Sequence, residues 1–301
     1  MRILVLGAGG QLGREVTRTL GRTGHEITAL DRSAVDITDP AAVTAAVTAA
    51  VGRGGYHRVV NCAAYTKVDQ AEAEPELAYA VNRDGAKNVA IACARTRVAL
   101  CHVSTDFVFT QAPSEPPRPW AESDLPLPRG VYAESKRAGE LECLAAGGPL
   151  YLVRTSWLYG TEGPNFPLAI CRAAAKRGRV RVVADQLGCP TWTGDLALAL
   201  GLLLEGKRFG LYHLTDAGST TWFHFAETIL QEVGIAAKVE PTTTAEWGAT
   251  APRPRYSVLD NGNWRELGME PLPPWEQGLR AYISAEREGA LAEFAAQRDL
   301  P

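Results

Sequence analysis

Residues 2–15 read Arg-Ile-Leu-Val-Leu-Gly-Ala-Gly-Gly-Gln-Leu-Gly-Arg-Glu, an apolar run that breaks at Gly7 into a glycine-rich turn. The run 3–6 has no polar alternation, which suits a strand covered on both faces. Gly7, Gly10 and Gly13 let the backbone turn tightly, approach an anion without a Cβ in the way, and pack the next helix against the strand. The N-terminus of that helix then favours a phosphate. A strand, this turn, a helix and an acidic residue, Asp31, about 20 residues further on form the signature of a dinucleotide site. Asp31 can accept hydrogen bonds from the adenosine ribose, which points to NADH, whereas the neighbouring Arg32 can pair with a 2′-phosphate, which points to NADPH. Both remain open, so NADPH or NADH is the expected cofactor.

Outward from this unit the cycle repeats. Strands are predicted at 3–6, 25–30, 58–61 and 99–104, and helices at 11–20, 40–51, 76–95 and 131–145. Apolar strands alternating with alanine-rich helices predict an α/β fold, a Rossmann-like doubly wound parallel sheet. The proline-rich stretch 112–129 cannot be regular throughout, because proline lacks the backbone donor. From 151 onward the pattern loosens: strands at 151–155, 180–184 and 210–214, helices at 166–177, 194–205 and 222–233, and every tryptophan but Trp120. Residues 1–150 are therefore expected to form the dinucleotide-binding domain with its catalytic helix. Residues 151–301 are expected to form mainly a substrate-binding region, some of its strands returning to the sheet. The segment 281–297 reads as one amphipathic helix closing over that region or over a partner subunit, a homodimer being the expected assembly.

Composition excludes several classes. The 301 residues are 46% hydrophobic and 22% charged with a net charge of −3, so neither disorder nor a general polyanion-binding surface is expected, and no nucleic-acid partner. No apolar stretch reaches the roughly 20 residues that cross a bilayer, and no export signal is visible. Six cysteines lack the spacing of a metal or redox site, so they read as reduced core thiols, no metal is expected, and the cytoplasm is the expected compartment. The basic residues Arg172, Lys176, Arg177, Arg179 and Arg181 read as a solvated face rather than a diphosphate site.

Tyr132 and Lys136 stand four residues apart, hence on one helix face. A free phenol titrates near pH 10, and a neighbouring ammonium eases its proton loss, so the pair suits acid–base work. Thr105 ends a predicted buried strand, at the sheet edge where such folds bind ligands. Glycine turn, strand-end threonine and Tyr-x-x-x-Lys in this order resemble the extended short-chain dehydrogenase/reductases. More narrowly, the chain resembles the dTDP-4-dehydrorhamnose reductase family. The likeness rests on GAGGQLGRE at 7–15, VNCAAYTKVDQAE at 60–72, STDFVF at 104–109, VYAESKRAGE at 131–140, RTSWLYG at 154–160, DQLGCPT at 185–191 and RPRYSVLD at 253–260.

That resemblance implies that Gly10, Gln11, Leu12, Asp31, Asp36, Ile37, Ala63, Ala64, Tyr65 and Thr66 line the dinucleotide. It implies that Thr105, Tyr132 and Lys136 are the catalytic trio, Tyr132 and Lys136 also meeting the cofactor. Thr105, Asp106 and Trp157 would contact the sugar, with Arg253 and Arg255 as candidates for its diphosphate. The implied activity is NAD(P)H-dependent reduction of the 4-keto group of dTDP-4-dehydro-L-rhamnose. Alternatives are a 4-ketoreductase for another dTDP-linked 4-keto-6-deoxysugar, such as dihydrostreptose or an antibiotic sugar, and a non-catalytic NADP-binding regulatory subunit. Ala133, Phe107, Thr110-Gln111 and Arg129-Gly130 depart from the family pattern near the sugar. Phe107 occupies the place of a dehydratase glutamate and cannot transfer a proton, which disfavours elimination chemistry.

Overall fold

The computed structural model describes residues 1–52, 57–111, 117–286 and 288–295. Residues 112–116 of the proline-rich stretch, and 287, 296 and 297 of the expected C-terminal helix, lie outside the described residues.

Six parallel strands form the central sheet: β1 (Arg2–Leu6), β2 (Glu26–Leu30), β3 (Arg58–Asn61), β4 (Ala99–Thr105), β5 (Leu150–Thr155) and β6 (Gly210–His213), in the order β6-β5-β4-β3-β1-β2. The continuous apolar runs are the reason: β5 is buried at every residue and β1 at four of its five. Such strands need cover on both faces, and α/β crossovers provide it. Helices α1 (Gln11–Arg22), α2 (Pro40–Gly52) and α4 (Val131–Ala145) fall close to their expected positions, and α3 (Ala86–Thr96) covers the second half of the one expected at 76–95. The strand order reverses direction between β1 and β3, which is where ligands bind in open parallel sheets. The register leaves β4 three residues longer than β3, because Asn61 pairs with His102 while Thr105 pairs with Thr155. Thr105 is thereby carried past the end of its neighbour, to the edge of the crevice.

Residues from 166 onward add α5 (Phe166–Arg177), α6 (Thr193–Glu205), α7 (Trp222–Val233) and α8 (Trp275–Ala285). Helix α6 shares the core of the sheet: Leu196, Leu200 and Leu203 are buried with Val16 and Leu20 of α1. A second core gathers Ile170 of α5, Ile229 of α7 and Leu279 of α8 beside a parallel pair of strands, Arg179–Val183 and Lys238–Thr242.

Two expectations are corrected. The helix expected at 76–95 is divided: an α-turn at Pro75–Tyr79 passes through a π-turn at Ala80–Gly85 into α3. The extra residue in that turn sets Asn82 against two partners, bonding both backbone groups of Tyr65 at 2.8 and 3.1 Å and Ser135 of α4 at 3.0 Å. The expected helix at 281–297 ends at Ala285. There the Glu286 carboxylate reaches forward to accept the Ala290 amide at 2.8 Å, and the chain re-enters a short helix, Ala292–Ala295, only after seating Leu291 in the second core.

Where the two cores meet, polar groups collect without partners. Tyr159 Oη, Asp195 Oδ2 and Asp216 Oδ1 are buried and make no hydrogen bond among the described residues. A Cβ on Gly278 of α8 would come within 2.5 Å of Asp216, 3.1 Å of Asp195 and 3.3 Å of Tyr159, so the three surround one point. Burial and then the Asp195 carboxylate push Asp216 up to about 8, and burial pushes Asp195 up to about 6. The native state thus holds protons that the unfolded chain has already released, and stability falls as pH rises from the ordinary carboxylate range through these values. Asp216→Asn keeps the shape without the charge. It is expected to gain on the order of a few kcal/mol relative to wild type between about pH 5 and about pH 9, measured as urea midpoints at both pH values.

Candidate active site

The glycine turn lies at the sheet's switch point. Gly7 has φ +73°, and a Cβ there would come within 2.5 Å of the Ala63 amide; a Cβ on Gly13 would strike the Gly7 carbonyl. Both glycines are demanded by the fold itself. Gly10 is different: among the described residues beyond its own neighbours, the nearest atom to its absent Cβ is the Gly7 carbonyl oxygen at 3.4 Å. It is also the N-cap of α1, where it offers no side chain to the first amides, and the first turn holds no acidic residue. Those amides are left for an anion. Gln11 Nε2 is buried beside them without a partner among the described residues.

A cleft of about 430 Å³ opens over this turn, lined by Gly7, Gly10, Asp31, Arg32, Asp36, Ile37, Ala63, Ala64 and Tyr65 among the expected residues. Gln11, Leu12, Gly13 and Thr66 are not in its lining, which instead includes Gly9, Ser33, Val35, Cys62 and Val81. Asp31 accepts from the Ser33 hydroxyl at 2.6 Å and from the amides of Ser33 and Ala34, and these bonds hold its carboxyl below the usual range. The Arg32 guanidinium is spent on Asp36 at 3.2 Å. The cleft thus carries a carboxylate and an exposed arginine at its rim, set for the ribose end of a dinucleotide.

Beside this cleft stand the strand-end and helix residues. Helix α4 begins at Gly130, whose φ of +88° only glycine adopts freely, and Glu72 accepts the Val131 amide at 2.8 Å. Tyr132 follows on the first turn, buried, its ring edge-on to Phe107 at 5.3 Å. Burial pushes its phenol up to about 12, the neighbouring Thr105 side chain acting in the opposite direction. Lys136 lies one turn on, its ammonium donating to the Val103 carbonyl at 2.8 Å. Burial lowers it to about 8, opposed by Glu140. The histidine beneath, His102, is held neutral by burial at about 3 and adds no competing charge.

Glu140 anchors the group. It accepts from Nε and Nη2 of Arg154 at 2.8 Å each, from the Ser104 hydroxyl at 2.6 Å and from Arg137 at 2.7 Å. Burial alone would raise its pKa, yet Arg154, Ser104 and Arg137 together bring it below the usual value.

Next to Tyr132 a second cleft of about 230 Å³ is walled by aromatic rings. Trp157 stacks on Trp222 at 3.6 Å with planes 7° apart, and its ring covers Gly188, where a Cβ would meet it at 2.5 Å. Holding the ring there costs Trp157 a left-handed backbone, φ +46°. Arg253 lines this cleft, ion-paired with Asp69 at 2.7 Å and lying over the Phe107 ring at 5.9 Å. Arg255 is not in the lining; it is exposed and 3.8 Å from Asp185. Asp106 sits under the cleft, 1% exposed, and lines neither one. Sequence reasoning missed Trp222 and underrated Arg181, which borders the cleft and donates to Thr242 at 2.7 Å.

A parallel sheet with a glycine turn at its switch point, and a Tyr-x-x-x-Lys helix facing a strand-end threonine, define an extended short-chain dehydrogenase/reductase. Comparison narrows this. The family described as the RmlD substrate binding domain matches residues 1–288. The chain is 47% identical to the dTDP-4-dehydrorhamnose reductase of Streptomyces griseus over 92% of this chain and 91% of that one, and 42% identical to that of Mycobacterium tuberculosis over 94% and 93%. The crystal structure of a dTDP-4-dehydrorhamnose reductase from Bacillus anthracis in complex with NADP superposes with a TM-score of 0.90 at 37% identity, covering 94% of this chain and 99% of that one. The chain belongs to the dTDP-4-dehydrorhamnose reductase family.

The differing roles of the glycines are testable. Gly13→Ala is expected to lose about 1–3 kcal/mol of stability through overpacking. Gly10→Ala is expected to unfold at the wild-type temperature while losing about tenfold in dinucleotide affinity, equivalent to about 1.4 kcal/mol. Thermal melts and a fluorescence titration with NADPH measure the two.

Proposed function

We propose that this protein reduces the 4-keto group of dTDP-4-dehydro-L-rhamnose, with NADPH or NADH as reductant, in the cytoplasm. The observation that carries this reading is Tyr132, edge-on against the Phe107 ring that walls the aromatic cleft and one helical turn from Lys136, with a polar cleft over the glycine turn. The residues over the turn suit a dinucleotide: the uncapped helix amides take the pyrophosphate, Asp31 the ribose hydroxyls, and Ala63 and Ala64 leave flat backbone for the rings. When bound, the reduced nicotinamide supplies hydride to the ketone carbon.

The chain supplies the rest. Tyr132, kept protonated by burial, gives its proton to the oxygen as charge develops there. Thr105 donates to the same region and fixes the direction of the carbonyl. Lys136 remains charged at neutral pH, lowering the cost of the phenolate that follows. The Trp157–Trp222 stack offers a flat apolar wall to the deoxysugar and excludes water from it, and Arg253 offers a guanidinium to the diphosphate. Two crowded anionic ligands are thus held by amides and a few placed cations, in keeping with a net charge of −3.

The direct test is incubation with dTDP-4-dehydro-L-rhamnose and NADPH or NADH, with the sugar product identified by NMR. Rhamnose is expected; absence of cofactor oxidation would refute the reading. Tyr132→Phe is expected to cut turnover by roughly 10²–10⁴ with little change in dinucleotide affinity. Arg253→Ala is expected to raise KM for the nucleotide sugar more than tenfold with a smaller effect on kcat, since it removes binding common to ground and transition states.

A further inference from the structure

Arg253 is held at its cleft by a ring of contacts that reaches across the fold. Asp69, in the one-turn helix Val68–Ala71, accepts Arg253 Nη2 at 2.7 Å through Oδ2, and through Oδ1 accepts the Ala251 amide at 3.1 Å. Arg253 Nη1 in turn donates to the Ala251 carbonyl at 3.3 Å. Carboxylate, guanidinium and the Ala251 backbone thereby close on one another. Ala251 is 4% exposed, so its amide needs a partner within the protein. Between the two tethered residues stands Pro252, whose ring fixes its own φ and restricts the residue before it. Pro252 is also pressed against the start of α4: a Cβ on Gly130 would come within 2.9 Å of its Cδ, and equally close to Glu72 Oε1.

We propose that Asp69 is a positioning residue for the nucleotide diphosphate, its carboxylate holding the Arg253 guanidinium in place before the ligand arrives. The inference rests on the diphosphate role given to Arg253 above and deepens it. A guanidinium has five N–H groups, and the ring takes one from each terminal nitrogen; the others are unclaimed among the described residues and can meet phosphate oxygens. The segment that carries Asp69 is tied to the reacting group as well. Its Glu72 accepts the Val131 amide at 2.8 Å, directly before Tyr132, and Tyr65 at its start bonds Asn82 through both backbone groups. Arg253 and Tyr132 are thus referred to one short stretch of chain, although neither is near it in sequence.

The carboxylate has two opposed effects on an anionic ligand. An arginine side chain carries large rotamer freedom, and ordering it in the free enzyme removes that loss from the binding step. The negative charge also repels the phosphates. Ordering wins, because the Asp69 side chain is 51% accessible and its charge is screened by water and salt, whereas the Arg253 side chain is 20% accessible and lies over the Phe107 ring at 5.9 Å.

Isothermal titration with dTDP, in the absence of ketosugar, tests the role. Asp69→Asn keeps the size of the side chain but has one acceptor oxygen, which can serve Arg253 or the Ala251 amide and not both. It is expected to bind dTDP about fivefold more weakly than wild type, as suits the ordering of one long side chain. In turnover it is expected to raise KM for the ketosugar by a similar factor with kcat little changed. NADPH affinity, which general damage to the fold would lower, is expected to stay at the wild-type value. In an Arg253→Ala background the same change is expected to leave dTDP affinity unaltered, because Asp69 acts only through the guanidinium. Arg253→Lys keeps the charge but has a single nitrogen, so it breaks the ring without touching Asp69 and is expected to bind dTDP as weakly as Asp69→Asn. Tighter dTDP binding by Asp69→Asn would reveal a carboxylate that only masks the arginine and would overturn the positioning role. Unchanged binding, an equal loss of NADPH affinity, or the same loss of dTDP affinity in the Arg253→Ala background would overturn it too, with the diphosphate reading left standing if Arg253→Ala alone binds dTDP weakly. Equal dTDP affinity in Arg253→Ala and wild type would overturn both.

Discussion

The bidentate pair between Glu140 and Arg154 is the contact on which the site depends. It joins α4, which carries Tyr132 and Lys136, to β5, and through the Ser104 hydroxyl to β4, which carries Thr105. Both partners are almost wholly buried. Such a pair adds little net stability over an apolar replacement, but losing one member strands a charge and costs about 3–5 kcal/mol. Its effect here is geometric. A helix and two strands that meet only through apolar side chains can slide by fractions of an ångström, and a phenol-to-hydroxyl contact cannot tolerate that. Arg154 is in turn stacked over Phe109 at 5.1 Å, and Phe109 lies flat on Trp120 at 5.0 Å, so Trp120 of the proline-rich stretch closes this polar core from outside.

The same polar core reconciles two demands on Lys136. The ammonium must be dry enough to act strongly on a neighbouring phenol, yet must stay charged. Burial pulls it down, and Glu140 one turn away pulls it back, while the neutral His102 leaves it unopposed. Glu140 is not itself neutralised by Lys136, because Arg154 and Arg137 already match it. The lysine therefore keeps a free charge to direct at the cleft.

How much of this was legible in the chain depends on the range of the forces involved. The glycine turn, the sheet strands of the first half and α4 could be read because their signals are local: unbroken apolar runs, glycine at φ above zero, and a four-residue spacing on one helix face. Helix α4 falls at the expected 131–145 because Gly130 marks its start unambiguously. Sequence motifs could also rank residues that lie on one short stretch, which is why most of the polar cleft was anticipated. What was not legible arises from contacts distant in sequence. Trp222 has no local signal for its place against Trp157, 65 residues earlier in the fold's path. Arg181 reads as a charged residue on a strand until Lys238–Thr242 pairs beside it and Thr242 fixes its head. The break after Ala285 has no proline to announce it; it is held by the Glu286 carboxylate accepting an amide four residues further on. The Asp195 and Asp216 carboxyls, 21 positions apart, meet only because α8 crosses them at a glycine.

The π-turn at Ala80–Gly85 has a counterpart in the helix it faces. The carbonyl of Asn82 bulges into the space that a side chain at Gly139 would fill, and Ser135, one turn before Gly139, receives the Asn82 amide. One segment carries a bump and the other the matching dent, although more than 50 residues separate them in the chain. The two are therefore a single unit of inheritance. A recombinant that exchanges 75–96 between relatives without exchanging 131–145 would join a helix of one length to a groove cut for another, and the misfit would surface at the tyrosine, not at the junction.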